Sequence, residues 1–182
     1  MKRTIATLLA LALVFGLCGC KNRNEERFEA FAAELRESGS LDVTAELRVE
    51  YGESTSSFTL RCTDEDGGYC VEVLEPELIR GVRAHLRGGG TTLSFDGAEI
   101  DAGDDGGTGL TPMGALPLLA RALREGWVDS VWKEDGGLAV KLIPSDAVSV
   151  TVYFDADMRP LRAELAHDGA VVVLCEKKDF SM

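Results

Sequence analysis

The sequence predicts a mainly β protein with helices (α+β), in which eleven antiparallel strands form one curled sheet around a buried helix. Three observations support this prediction. One long stretch alternates strictly between apolar and polar residues, short strand-like segments are separated by Asp-Gly and Gly-Gly pairs, and one helix is apolar around most of its circumference. Asp-Gly pairs favour two-residue hairpin turns. An open sheet of this many strands curls or splits, which lets it pack around its own helices.

The longest predicted strand covers residues 41–51, where every odd position is apolar and every even position is polar. A period of two indicates a strand with one buried and one solvated face. The strands fall into two groups, six up to residue 101 and five between residues 128 and 178. Residues 102–109 are rich in Gly and Asp, so we expect a mobile loop there.

Two helices are predicted, at residues 23–38 and 112–125. The first has one apolar stripe and ends at Gly39, a suitable C-terminal cap. The second begins with Thr111 as N-cap and Pro112 at the first helical position. Because it is apolar nearly all round, we expect it to be buried. Pro117 lies inside it and predicts a kink or a restart.

The N-terminus has the pattern of a secretory signal. Lys2 and Arg3 precede an apolar run from Ile5 to Leu17, which at 13 residues is shorter than the roughly 20 needed to span a bilayer. The following Leu17-Cys18-Gly19-Cys20 resembles the bacterial lipobox. That resemblance implies cleavage before Cys20 and attachment of acyl chains such as palmitate to its thiol, and two chains give stable anchoring. The alternative is an ordinary signal peptide cut nearby, which would release a soluble secreted protein.

These features predict a lipoprotein signal peptide at residues 1–19, a lipidated tether at residues 20–23 and a single domain at residues 24–182. We expect the domain to be held on the extracytoplasmic face of the cell membrane by the lipid on Cys20. The net charge is −12, and it becomes −14 when Lys2 and Arg3 leave with the signal. Nucleic-acid binding needs a basic surface that neutralises phosphates. Because this chain is acidic, we expect no nucleic-acid partner.

Three cysteines remain outside the signal and the anchor, namely Cys62, Cys70 and Cys175, so at most one disulfide can form. A two-residue type I′ turn at Asp66-Gly67 would pair Thr63 with Cys70 and Cys62 with Val71. Cys62 and Cys70 would then point to opposite faces of the sheet, which argues against a bridge between them. The sequence contains no CxxC pair, so it indicates neither a zinc site nor a thioredoxin-like site.

The search for catalytic motifs is negative. No GxSxG, HExxH or SxxK motif occurs. His85 and His167 are predicted to be solvated surface side chains. The glycines at 88–90 precede a strand instead of a helix, so they are interpreted as a turn and not as a phosphate cradle. We therefore predict that the protein is not an enzyme and has no cofactor.

Two acidic loops, at residues 101–106 and 64–67, loosely resemble calcium-binding loops. The first loop would need a bidentate Glu at its twelfth position, where Pro112 stands. The second loop would have Cys62 at its first position, where calcium needs an oxygen ligand. We predict no metal site and interpret both loops as solvated, with a weak calcium site as the alternative. Trp127 and Trp132 lie five residues apart, so in a regular strand they should face opposite ways, one in the core and the other at a rim or on an exposed contact surface.

The order of elements is an N-terminal helix, six strands, a buried helix and five strands. This order resembles the lipoprotein-carrier fold of periplasmic lipoprotein carriers, their outer-membrane receptors and mycobacterial lipid-binding lipoproteins, which implies an eleven-stranded half-barrel. Short stretches such as residues 73–77, 93–97, 110–112 and 154–160 also resemble lipoproteins of spore-forming Firmicutes, including clostridial spore-germination lipoproteins. The shuttling carriers are soluble, and the predicted anchor separates this chain from them.

Two functions compete at this point. The first is binding of a hydrophobic ligand, a lipid or an acyl chain, in the concavity of the half-barrel, because an apolar helix facing a curved apolar sheet suits a pocket. The candidate lining residues are Leu47, Val49, Leu60, Val73, Leu93, Met113, Leu116, Leu119, Leu123, Val150 and Val152. The alternative is that these side chains fill the core, and the domain is a non-catalytic platform for an envelope protein partner, with sporulation or germination as the implied setting. The size of the cavity distinguishes the two.

Overall fold

The computed structural model describes residues 23–52, 54–104 and 110–182. The predicted signal peptide, Cys20 and residues 21–22 of the tether lie outside the described residues. The helices are α1 (Arg23–Ser38) and α2 (Pro112–Glu125). The strands are β1 (Asp42–Tyr51), β2 (Ser54–Glu65), β3 (Gly68–Glu75), β4 (Arg83–Arg87), β5 (Gly90–Phe95), β6 (Ala98–Asp104), β7 (Trp127–Glu134), β8 (Gly137–Ser145), β9 (Val148–Phe154), β10 (Pro160–His167) and β11 (Ala170–Ser181).

The described strands form one eleven-stranded antiparallel sheet in the order β6-β5-β4-β3-β2-β1-β11-β10-β9-β8-β7. The sheet is not closed, because β6 and β7 are its two edges. We call β1–β6 the N-wing and β7–β11 the C-wing; the wings join where β1 pairs with β11. The predicted fold class, a mainly β half-barrel curled around a helix, is confirmed.

Both helices pack against the concave face of the sheet, which we call the inner face. The apolar stripe of α1 is buried as predicted, and its Phe31 ring lies 5.1 Å from Phe154 and 6.2 Å from Phe180, measured between ring centroids. Helix α2 is capped by Thr111, whose Oγ1 accepts a hydrogen bond of 3.1 Å from the backbone N–H of Gly114. The helix continues through Pro117 to Glu125, so the predicted restart does not occur.

The hairpin register agrees with the prediction at the cysteines. Cys62 pairs with Val71 and Cys70 with Thr63, so the two thiols lie on opposite faces. Cys62, Cys70 and Cys175 are all free. Only Gly67 of the Asp66-Gly67 turn has a positive φ, so the turn is not the expected type I′, although its two-residue length preserves the register.

Strand β6 extends further than the sequence predicted. Residues 102–104 were expected in a loop, but Gly103 pairs with Thr91 and Asp104 with Gly90, after a bulge at Thr91/Thr92. Gly103 has φ of +75°, a conformation that glycine adopts without a steric penalty. Among the described residues no helix is long and apolar enough to cross a membrane.

Candidate functional site

The residues predicted to line a ligand pocket all lie in one hydrophobic core between the inner face and the helices. Eight of them are buried, namely Leu47, Val49, Leu60, Val73, Leu116, Leu123, Val150 and Val152. Leu93, Met113 and Leu119 are partly buried against the same core. The core also contains Phe28, Phe31 and Leu35 of α1, which the predicted ligand lining did not include.

Little empty space remains in this core. A slit between α2 and strands β1, β10 and β11 has a volume of about 30 Å³, and Leu116, Leu119, Leu123 and Val152 of the predicted lining border it. This volume is about the share of one water molecule in the liquid. Pockets for drug-sized ligands are ten times larger or more. In this conformation the helices fill the concavity.

A larger groove adjoins the slit at the surface. It has a volume of about 520 Å³ and runs between α1, the β9–β10 turn and the end of β11. Three residues, Pro160, Lys177 and Phe180, border both spaces. The groove is amphipathic, with apolar contributions from Phe31 and Met158. Its charged lining includes Arg27, Arg159 and Lys177 beside Glu34 and Asp157.

The convex face of the C-wing, its outer face, carries both tryptophans, contrary to the prediction that they face opposite ways. Trp127 pairs with Ile143 and Trp132 with Ala139, two positions of β8 that are four apart and therefore share a face. The bulge at Val128/Ser130 causes this, because one extra residue reverses the alternation. Neither ring enters the core: Trp127 is 80% exposed and Trp132 36% exposed.

One cross-strand line of side chains crosses this outer face. Register places Trp132, Ala139, Tyr153, Arg162 and Glu176 next to one another on β7 to β11. The Arg162 guanidinium lies 3.6 Å from the centroid of the Tyr153 ring, which is the geometry of a cation–π contact. We call Trp132, Tyr153 and Arg162 the outer strip.

Two carboxylates fix the ends of the outer strip. Trp132 Nε1 donates a hydrogen bond of 2.7 Å to Glu134, which lies 3.6 Å from the Arg162 guanidinium. Arg162 Nη1 donates a second bond of 2.7 Å to Glu164. The pKa of Tyr153 is raised by partial burial and by the nearby carboxylate of Glu164. The strip is therefore held by hydrogen bonds before any partner binds.

The outer face of the N-wing carries a different arrangement. His85 Nε2 lies 3.2 Å from Ser94 Oγ, and His85 Nδ1 lies 3.0 Å from Glu65 Oε2. The hydrogen bond from His85 lowers the pKa of Glu65, and Arg87 contributes from 3.0 Å. His85 is on the predicted outer face, but its side chain is only 28% exposed, so the expectation of a solvated imidazole was wrong.

The order Ser94, His85, Glu65 is that of a nucleophile, a base and an orienting carboxylate, which motif searching could not find because three strands supply the three residues. Catalysis would also need donors for a developing oxyanion. Strands β4 and β5 are paired on both sides, so the sheet ladder engages the backbone N–H groups around Ser94. Alternation of polar and apolar residues in β4 and β5 could have shown that His85 and Ser94 lie on the same face. Only the pairing register of the two strands shows that they are in contact.

The acidic loops do not form a metal cluster in the described part of the chain, where no group of three or more His, Cys, Asp or Glu side chains is arranged to hold an ion. Asp64 of the second loop instead accepts hydrogen bonds of 2.8 and 2.5 Å from Arg124. Asp105 of the first loop lies outside the described residues. Burial raises the pKa of Cys175 to about 12 and that of Cys62 still further, so neither thiol is a reactive thiolate.

Comparison with known proteins gives structural neighbours only. No family model matches the sequence, and no curated protein matches it either. The chain is similar to a putative outer membrane lipoprotein-sorting protein domain from Vibrio parahaemolyticus, with 14% identity, coverage of 87% of this chain and 93% of that one, and a TM-score of 0.48.

Two further neighbours are lipoproteins by description. A chain in the structure of the CwlD amidase from Clostridioides difficile in complex with the GerS lipoprotein is 18% identical, with 89% and 97% of the two chains covered and a TM-score of 0.48. The Mycobacterium tuberculosis lipoprotein LppX is 15% identical, with 84% and 95% covered and a TM-score of 0.35. These descriptions name the groups that the sequence resembles. The likeness concerns the fold, so function is argued below from this chain's own residues.

Proposed function

We propose that this chain is a non-catalytic interaction platform of the bacterial cell envelope, anchored to the membrane through Cys20 and built to bind a protein partner. The observation that carries the proposal is the filled concavity, in which about 30 Å³ remains between α2 and the sheet. A domain with a filled core has its outer surface available for function. The two exposed tryptophans on that surface support binding, because Trp is enriched at binding hot spots.

Native mass spectrometry of the purified soluble domain, beside organic extraction of the same sample, tests the filled interior. We expect a mass equal to that of the bare chain and no lipid in the extract. Uptake of added fatty acid or phospholipid at one molecule per chain would contradict the platform and favour a ligand-binding function.

The anchor is tested separately. We expect the wild-type chain to fractionate with membranes and to incorporate a labelled fatty acid, and Cys20→Ala to lose both properties. A Cys20→Ala chain that stays membrane-bound, with no label on the wild type, would disprove the lipid anchor. The platform function would then have to be assigned to a soluble secreted protein.

The absence of catalysis is tested at Ser94, whose Oγ lies 3.2 Å from His85, which in turn lies 3.0 Å from Glu65. A fluorophosphonate probe labels activated serines, and we expect it to label neither the wild type nor Ser94→Ala. Labelling of the wild type that Ser94→Ala abolishes would show an activated nucleophile and contradict the non-catalytic assignment.

Binding of a hydrophobic ligand is the second candidate, because the groove of about 520 Å³ leads to the apolar slit through Phe180. An acyl chain entering there would have to displace the Phe180 ring and separate α2 from β11. Phe180→Ala should then increase uptake of a fluorescent fatty acid, with the exposed Leu78→Ala as the matched control. Equal and negligible uptake by both variants would remove this candidate.

A further inference from the structure

The two outer faces of the sheet differ in the residue types that they present. The described outer face of β2 to β5 holds ion pairs and short polar side chains, such as Arg83 with Glu72, and no Phe, Tyr or Trp. The outer face of the C-wing presents Trp127 and the outer strip of Trp132, Tyr153 and Arg162. Trp, Tyr and Arg are the residue types most enriched at binding hot spots.

The outer strip is also preorganised. Glu134 holds the Trp132 indole, and Arg162 is fixed between Glu134, Glu164 and the Tyr153 ring. Side chains that are already ordered lose less entropy on binding, so more of their contact energy appears as affinity. A strip serving only as a solubilising surface would not need such ordering.

The face is large enough for a specific interface. Five strands spaced at about 4.8 Å and about nine residues long cover roughly 24 by 30 Å. This is of the order of the roughly 800 Å² that each partner contributes to a standard interface. The face is free of both helices, which pack on the opposite side of the sheet.

Charge indicates the sign of the partner. Carboxylates of Glu134, Glu164 and Glu176 surround the strip, and the mature chain has a net charge of −14 once Lys2 and Arg3 are removed. Arg162, Lys141 and Lys178 are the cations on this face, so the sign of the partner follows from the negative field of the whole domain. Such a field attracts a positively charged protein and repels both anionic lipid and a second copy of this chain.

We propose that the outer face of the C-wing, centred on Trp132, Tyr153 and Arg162, is the surface on which the domain docks a protein partner whose contacting face is positively charged. The inference rests on the platform function proposed above and assigns that function to one wing. The partner places an apolar or aromatic group against the Trp132 and Tyr153 rings and its cations against the surrounding carboxylates.

Site-specific photo-crosslinking of the full-length chain in its native envelope tests the assignment. The photo-crosslinking amino acid p-benzoylphenylalanine replaces Ser130, which lies beside the strip on the outer face of β7, or Glu99, which lies on the outer face of the opposite edge strand β6. We expect one discrete protein adduct from position 130 and none from position 99. Adducts from position 99 alone would overturn the wing assignment and leave the platform function standing, and no protein adduct from either position would overturn both.

The partner identified in the adduct is then purified and titrated against the soluble domain. The chain has two tryptophans, both on this face, so intrinsic fluorescence reports directly on the proposed surface. We expect Trp132→Ala and Tyr153→Ala each to weaken binding at least tenfold, because each removes an aromatic ring of the outer strip, and binding to weaken as salt is raised. Arg83→Ala, which truncates an exposed side chain on the outer face of the N-wing, is the matched control and should change affinity less than twofold.

Trp127→Ala is the variant in which weaker binding cannot be attributed to unfolding, because a side chain that is 80% exposed contributes little to stability. It should weaken binding while leaving the urea midpoint unchanged. Unchanged affinity in Trp127→Ala, Trp132→Ala and Tyr153→Ala together would overturn the proposal, as would an adduct that proves to be lipid, glycan or a second copy of this chain.

Discussion

Each wing of the half-barrel contains a hairpin whose second strand begins with a glycine packed against a neighbouring carbonyl. A Cβ built on Gly68 of the N-wing would lie 1.8 Å from the carbonyl oxygen of Leu86, and one on Gly137 of the C-wing would lie 1.8 Å from that of Phe154. Both glycines directly follow an Asp-Gly pair. The wings therefore use the same backbone device to bring three strands together.

The wings differ in how they hold the helices. The C-wing packs Phe154 and Phe180 around Phe31 of α1, an apolar contact. The N-wing holds α2 through Arg124, which binds Asp64 with two hydrogen bonds and Tyr69 with one of 3.1 Å. Burial raises the pKa of Tyr69, although the hydrogen bond from Arg124 opposes that effect. Both wings pack apolar side chains against the helices, and the N-wing adds a partly buried ion pair.

The largest effect is expected where the apolar contact is broken. Phe31→Ala removes ring contacts to Phe28, Phe154 and Phe180 and leaves a cavity between α1 and the C-wing. We expect a loss of about 4 kcal/mol in the free energy of unfolding, measured by urea denaturation. Leu78→Ala, whose side chain is 91% exposed, is the control and should change it by less than about 0.5 kcal/mol. A loss below about 1 kcal/mol in Phe31→Ala would show that α1 is not needed to hold the C-wing.

The shared glycines give a matched pair. Gly68→Ala and Gly137→Ala should each destabilise by about 3 kcal/mol, because the new methyl group would force a carbonyl out of the ladder. Gly90→Ala is the control, since its Cβ would meet nothing closer than 3.7 Å. Urea midpoints measure all three. If only one of the two glycines tolerated alanine, the close glycine–carbonyl contact would be required in one wing and not in the other.

The ion pair of the N-wing should matter less than the aromatic contact. Asp64→Asn and Arg124→Met should each cost about 2 kcal/mol, between the values for exposed and buried pairs, because the two side chains are 21% and 15% exposed. A double-mutant cycle isolates the coupling, which we expect at about 1 kcal/mol. Additive losses in the cycle would mean that Arg124 acts through packing alone.

The smallest effect concerns the pH dependence of the N-wing's outer face. The folded-state pKa of Glu65 is lowered by its hydrogen bond from His85, with Arg87 adding to the effect. Its contribution to stability is therefore present above the unfolded value of about 4.3 and is lost as pH falls below that value. Glu65→Gln should flatten the decline of the urea midpoint between about pH 5 and pH 3, and Glu99→Gln is the exposed control. An equal decline in both variants would contradict the lowered pKa.

Much of the fold could be predicted from local pattern. Alternation in residues 41–51 gave the buried face of β1, and the apolar stripe of α1 gave Phe28, Phe31 and Leu35 as buried. The Asp-Gly turns gave hairpins and the pairing of Cys62 with Val71. These predictions succeed because turn chemistry and side-chain alternation act over a few residues.

The predictions that failed involve bulges and contacts between distant strands. A single bulge in β7 puts Trp127 and Trp132 on the same face, and no local signal in residues 128–130 marks it. The contacts of His85 with Glu65 and Ser94 depend on the pairing of β4 with β3 and β5. The bulge that continues β6 to Asp104 likewise depends on the length of its neighbour β5.

The sequence by itself determined which side chains lie inside, since one apolar residue in two along a strand leaves a single way to bury that face. It also determined the eleven strands, the two helices and the acidic net charge. Only the tertiary structure decided that Phe28, Phe31 and Leu35 share the concavity with α2 and fill it, and that Trp132, Tyr153 and Arg162 meet on the outer face. The physical reason is that cavity volume and cross-strand contact depend on the register of residues far apart in the chain, which local alternation does not encode.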